Sequence, residues 1–189
     1  MMSRIFAPRG GLLLCGVLLT GCSASAPNQA PLQTVAHVNL NRYLGTWYEI
    51  AKIPNRFQKQ CMGDTTAHYA RRADGRIDVV NRCRTKHGRY DEARGVARVI
   101  DTQSNAKLEV SFVSLLGWHL FWGDYWIIGL GNDYRYAVVG TPNRKYGWIL
   151  SRTPLLATTD RSRVDALLER SGYNPAAFEP TAQTAMHSR

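Results

Sequence analysis

Histidine, cysteine and paired carboxylates hold metals or move protons, and in this sequence they do not gather. His37, His68, His87, His119 and His187 stand far apart. None recurs with a cysteine or carboxylate at the short intervals from which a zinc site draws its ligands. No metal site and no cofactor is readable. The pair Asp91-Glu92 opens an expected strand, where solvated charge is the plain reading. Gly-x-Ser-x-Gly, P-loop and dinucleotide patterns are missing, so nothing marks a nucleophile elbow or a phosphate cradle. The residues give no reading as an enzyme.

The chain of 189 residues carries 24 Lys and Arg against 14 Asp and Glu, a net charge of +10, with 44% hydrophobic residues. That length fits one domain, and the composition excludes disorder and collagen-like order. No apolar stretch reaches the roughly 20 residues a membrane-spanning helix needs. Residues 1–21 are laid out as an export signal: Arg4 and Arg9, a short apolar run from Leu12 to Leu19, then small residues. Its end, Leu19-Thr20-Gly21-Cys22, resembles the lipobox of bacterial lipoproteins, in which the cysteine is acylated and becomes the first mature residue. The mature chain then carries +8, since the two arginines leave with the signal. Residues 22–39, small and polar with two prolines, read as a flexible tether. For an exported basic protein the nearest polyanion is the membrane surface, so no nucleic-acid partner is expected from the run Arg82, Arg84, Lys86 and Arg89. Ser23 after the cysteine implies, by resemblance to Gram-negative lipoproteins, an outer-membrane address facing the periplasm.

Beyond the tether, short strands are separated by turn signals. They are expected at 43–53, 65–72, 76–84, 91–101, 106–113, 124–130, 134–141 and 146–152, with Asp74-Gly75 marking a tight hairpin between the second and third. Alternation gives each strand one oily side: Ile77, Val79 and Asn81 oppose Arg76, Asp78 and Arg82, and Leu108, Val110 and Phe112 oppose Lys107, Glu109 and Ser111. Eight antiparallel strands in up-and-down order remove their edges by closing into a barrel, and a barrel of eight can hold one small ligand. The inward positions are then Ala67, Tyr69, Ile77, Val79, Asn81, Ala97, Val99, Leu108, Val110, Phe112, Tyr125, Ile127, Ala137, Val139, Tyr146 and Trp148. After Pro154, Thr158-Thr159-Asp160 offers an N-cap, and Val164, Leu167 and Leu168 form a narrow apolar stripe. Gly172 is placed to end this helix of about 159–171, which should pack outside the barrel. The domain is expected over 40–182, with room for a ninth strand beyond Phe178 and a disordered tail at 183–189.

Cys61 and Cys83 remain as a possible disulfide, favoured by an oxidising compartment. If Arg72 faces Arg76, Cys83 lies opposite Thr65 and Cys61 lies four residues further on, about 13 Å away. A bridge then requires the chain before Thr65 to bulge back.

Three stretches resemble the lipocalin family, in particular its bacterial outer-membrane lipoproteins. They are Asn41-Arg42-Tyr43-Leu44-Gly45-Thr46-Trp47-Tyr48, Asn132-Asp133-Tyr134, with Asn where Thr is usual, and Arg152 at the end of the eighth strand. The resemblance implies an all-β, eight-stranded antiparallel barrel with one C-terminal helix outside. It also implies a barrel floor of Gly45 and Trp47 with Arg152 laid over the indole. By the same resemblance the protein is expected to store or transport fatty acids, lysophospholipids or similar amphiphiles; with the lipobox it is expected to be anchored to the membrane by lipid, as a monomer or homodimer.

Three other readings stay open: an enzyme on the same scaffold using Tyr69 or Asn81, a structural protein with a filled barrel, and a carrier of haem or another pigment. The apolar run Ser114 to Trp122 has two readings, folding over the barrel as core or dipping into a lipid interface.

Overall fold

The computed structural model describes residues 30–116 and 118–184. The export signal, Cys22, the first part of the expected tether and residues 185–189 lie outside them.

A four-residue helix α1 (Leu40–Tyr43), whose N-terminus is capped by the Asn39 side chain, leads into strand β1 (Gly45–Lys52). The hairpin strands β2 (Cys61–Arg71) and β3 (Ile77–Thr85) follow, then β4 (Tyr90–Val99) and β5 (Lys107–Ser111). A small separate ribbon, β6 (Val113–Leu115) with β7 (Trp118–Leu120), precedes β8 (Gly123–Leu130), β9 (Tyr136–Gly140) and β10 (Gly147–Ser151). Each main strand pairs antiparallel with the next, and β10 pairs back onto β1, so eight strands close a barrel. Closure leaves no bare edge in the wall, as the alternating pattern requires.

The turn at Asp74-Gly75 forms as expected, with Gly75 at φ +83° and the Asp74 carboxylate accepting from Arg76 N at 3.0 Å. Its register holds from Arg71↔Ile77 to Thr66↔Arg82, then slips twice, around Gly63 and before Cys61. Gly63 and Asp64 carry φ values of +148° and +50°. The two slips draw Cys61 back beside Cys83, and the cysteines form a disulfide with Cα atoms 5.5 Å apart.

Helix α2 (Thr158–Arg170) packs Val164 and Leu168 against Ala51, Ile128, Val138 and Ile149 on the outer wall. Burying two such aliphatic side chains contributes about 1.5–3 kcal/mol each. Its end forms as expected: Gly172 N donates to Glu169 O and Tyr173 N to Leu168 O, with Gly172 at φ +77°. Its start does not. The N-cap is Ala157 and makes no side-chain bond. Asp160 is instead buried inside the first turn, where Arg135 Nε donates to it at 2.6 Å and Arg163 Nη1 at 3.0 Å.

Two stretches read as loose are packed. Leu32 and Val38 are buried, and Val35 N and Val38 N donate to Ile127 O and Ser104 O at 3.0 and 2.7 Å. Residues 30–39 are therefore fixed to the wall rather than part of a tether, because Leu32 packs into the outer-wall cluster and Val35 and Val38 into the inner one. At the other terminus β11 (Glu179–Pro180) pairs with β1, and the following residues run between β1 and β2 where those strands part. Ala182 O accepts from Asp64 N at 2.7 Å, Gln183 Nε2 donates to Glu49 O and Thr65 O, and Thr184 donates to the Asp64 carboxylate. Gln183 and Thr184 thus belong to a strap closing that seam, not to a disordered tail.

Candidate ligand-binding site

The strands run from a floor, where α1 and the 100–106 and 131–135 turns lie, to an open mouth ringed by residues 53–60, 86–89, 112–122 and 141–146. At the floor Trp47 is fully buried and donates from Nε1 to Tyr43 O at 2.8 Å. The Arg152 guanidinium covers its other side, 3.8 Å from the ring. A side chain at Gly45, where φ is +91°, would meet that guanidinium. These three residues close the barrel and leave Arg152 no path to the interior.

Above the floor, Tyr69, Ile77, Val79, Ala97, Leu108, Ile127, Ala137 and Val139 form one buried cluster with Trp47, and Ala67, Val99, Val110, Tyr125 and Trp148 pack against it. Of the inward positions, Ala67, Asn81, Val99, Val110, Tyr125 and Trp148 keep part of their surface accessible. Ala93, opposite Asn81 across the β3–β4 pair, is exposed on the same face. These positions give the inner wall, here called the calyx, an apolar lining that keeps some accessible surface.

Phe112 stands apart. It follows the end of β5 at the rim, is 41% exposed, and its ring fills the space a side chain at Gly95 would need. Tyr146 precedes β10 and stacks on Trp148 with centroids 6.3 Å apart.

Sequence reasoning missed the polar network inside the mouth. Trp47 points inward, so Glu49 two residues on does also, opposite Leu150. A bulge between Glu49 and Ala51 then turns Lys52 inward, opposite Trp148. Glu49 is only 3% exposed. Its carboxylate accepts from Lys52 Nζ at 2.8 Å, Gln58 Nε2 at 2.8 Å and Thr181 Oγ1 at 2.7 Å. Gln58 Oε1 in turn accepts from Trp148 Nε1 at 3.0 Å, and Phe57 lies over Tyr146 at 5.2 Å. The 3-10 turn Arg56–Gln58 is thereby bent over one side of the mouth. A charged residue at an inward position of the first strand was the available signal.

Deep in the calyx the Tyr43, Tyr69 and Tyr125 hydroxyls meet, 2.7 and 2.9 Å apart. Burial pushes all three phenols up, Tyr69 to about 12, so they are neutral. Among the described residues no three of His, Cys, Asp and Glu gather to hold a metal.

The apolar run after β5 does not fold over the barrel as core. Leu116, Phe121, Trp118 and Leu115 are 91, 82, 75 and 62% exposed. Trp122 is held to the wall instead, stacked under the Arg98 guanidinium at 4.2 Å. Two hollows of about 420 and 290 Å³, one beside Arg135 and Arg163 and one between residues 31–34 and Trp126, lie on the outer surface. The first is ringed by charges already paired with one another, and neither communicates with the calyx lining.

Residues 38–183 match the family model described as a lipocalin-like domain. The chain is 38% identical over 162 residues to the outer membrane lipoprotein Blc of Vibrio cholerae, covering 85% of this chain and 88% of that protein. It is 35% identical to the protein of the same name from Escherichia coli, with the same coverage. Among solved structures, insecticyanin from the tobacco hornworm Manduca sexta superposes with a TM-score of 0.67 at 20% identity, over 82% of this chain and 85% of that one.

Proposed function

The chain belongs to the lipocalin family, and from that premise we propose that it is a lipid-binding protein of the bacterial envelope. In this reading it is held in the outer membrane by acylated Cys22, faces the periplasm, and stores or transports fatty acids, lysophospholipids or similar amphiphiles. The observation that carries the reading is the calyx wall. Ala67, Val99, Val110 and Ile127 make it apolar along its length, while Glu49, Lys52 and Gln58 make it polar at the mouth. Apolar area removes an acyl chain from water, and a few placed polar groups orient its headgroup.

The names of the relatives in Vibrio cholerae and Escherichia coli support the outer-membrane address. The exposed ribbon at the rim supports exchange with a bilayer, since tryptophan and leucine side chains gain by entering a lipid interface. The deciding experiment is extraction of protein purified without detergent, followed by mass spectrometry of the extract. A stoichiometric amphiphile is expected; protein that yields none and binds no added fatty acid would leave the barrel a structural element.

A further inference from the structure

The deep end of the calyx is not wholly apolar. The Tyr125 hydroxyl lies 2.7 Å from that of Tyr43 and 2.9 Å from that of Tyr69. Tyr43 is buried against Trp47 and Tyr69 against Tyr43, whereas Tyr125 keeps part of its surface on the inner wall. The cluster therefore adjoins the space a ligand would fill.

Proton accounting makes the cluster incomplete. Three phenols bring three O–H donors, and two hydrogen bonds join them. Whichever way those bonds run, one donor is left over, and among the described residues these hydroxyls meet no other acceptor. A polar hydrogen facing an apolar wall is unfavourable unless something accepts it. Burial keeps the phenols protonated, so the cluster offers a donor throughout the physiological range.

Toward the mouth the same inner wall carries Glu49, Lys52 and Gln58, and Ala67, Val110 and Ile127 make the rest of it apolar. We infer that the ligand the calyx favours is polar at both ends. Its headgroup meets Lys52 and Glu49 at the mouth, and a hydroxyl, keto or carboxyl oxygen on the far end of its acyl chain accepts from the tyrosine cluster. The inference rests on the lipid-binding reading above and narrows its substrate class to oxygenated chains.

The test is displacement of a fluorescent fatty acid from the purified full chain by matched pairs of plain and ω-hydroxy fatty acids over a ladder of chain lengths. At the best-fitting length the ω-hydroxy acid should bind about fivefold more tightly, equivalent to about 1 kcal/mol. Changing Tyr43, Tyr69 and Tyr125 together to Phe removes every member of the cluster and keeps its shape, which is the tolerated way to delete buried hydrogen bonds. That triple variant should lose the preference, read as the ratio of the two affinities, whatever its affinity for the plain acid. Tyr125→Phe alone removes the one accessible member of the cluster and should likewise abolish the preference, so the test stands if the triple variant does not fold. Equal affinities at every length, or a preference that neither variant alters, overturns the inference. Failure of both acids to bind would instead overturn the lipid-binding reading itself.

Discussion

The Arg152 guanidinium lies 3.8 Å from the centre of the Trp47 indole and donates to the carbonyls of Arg42, Leu44 and Thr46 at 2.6, 2.9 and 2.8 Å. One side chain just past the last barrel strand thus holds the chain entering the first, and the cation rests on the ring that fills the floor. Truncating a buried Trp typically costs about 3–5 kcal/mol. Trp47→Ala should therefore lower the melting temperature sharply while leaving the order of ligand affinities unchanged. Calorimetry and a small ligand panel check both; a reordered panel with an unchanged melting temperature would put Trp47 in the binding site.

The wall gives a separate test. Val110 pairs with Ala97 on one side and Gly123 on the other and faces the calyx. Val110→Arg would place a charge where the proposed acyl chain would lie, but the side chain is long enough to reach toward the mouth, so the barrel should still fold. Binding of a fluorescent fatty acid should fall at least tenfold, with the circular dichroism spectrum unchanged. Undiminished affinity would mean that ligand binds outside the barrel.

Alternation along β3 and β5 made most of the inner wall legible, because one side of each strand is oily and a closed sheet leaves no choice of where that side points. Bulges broke the reading. The one after Glu49 turns Lys52 inward against the period of two, and those around Gly63 bring Cys61 to Cys83, although the unbroken register puts them about 13 Å apart. A bulge leaves little trace in sequence beyond a glycine such as Gly63. Residues 30–39 depart from the tether expectation for another reason. The small and polar run Ser23 to Gln29 before them, and the lack of a helix or strand period, outweighed Leu32, Val35 and Val38, which bury themselves one at a time in separate clusters rather than along one element.

The disulfide closes a sequence separation of 22 residues, for which loop-entropy reasoning gives about 3 kcal/mol, less any structure the hairpin keeps when unfolded. Replacing both cysteines with Ser should lower stability by up to that amount and loosen the seam strapped by Thr184. Hydrogen exchange at Asp64 and Thr65 would reveal the loosening; protection equal to the parent's would show that the bulges hold without the bridge.

Acid should detach the C-terminal elements first. Hydrogen bonds from Arg135 hold the Asp160 carboxyl below its ordinary value of 3.8, against the opposing effect of burial. At Asp64 burial pushes upward, but bonds from Thr184 and Arg84 outweigh it and the value is again lowered. A depressed carboxylate contributes stability that is complete above its ordinary pKa and is lost as the pH falls through the folded value. Helix α2 and the strap should therefore loosen below about pH 4, seen as proteolysis confined to residues 158–184. Asp160→Asn should cost about 1–2 kcal/mol at neutral pH, less than a fully buried pair because Arg135 is half exposed. That variant should also lose part of the acid sensitivity.

The rim ribbon and the anchor should separate residence from exchange. Leu115, Leu116, Trp118 and Phe121 extend into solvent from a hairpin whose strands, among the described residues, pair with each other alone, so their removal disturbs no core. Trp122 is a poor target by comparison, being bound to the wall through Arg98. Changing the four exposed residues to Ser should slow transfer of a labelled fatty acid between anionic vesicles and the protein by severalfold, while affinity measured without vesicles stays the same. Membrane residence should not change, because stable attachment takes more than one acyl chain and a shallow apolar tip adds little to it. Cys22→Ala should do the reverse, releasing a soluble protein that still binds the fatty acid. Transfer rate and membrane fraction measured on both variants decide the matter. A transfer rate untouched by the four changes would leave the ribbon without a part in exchange, and a Cys22 variant retained in the membrane fraction would refute the anchor.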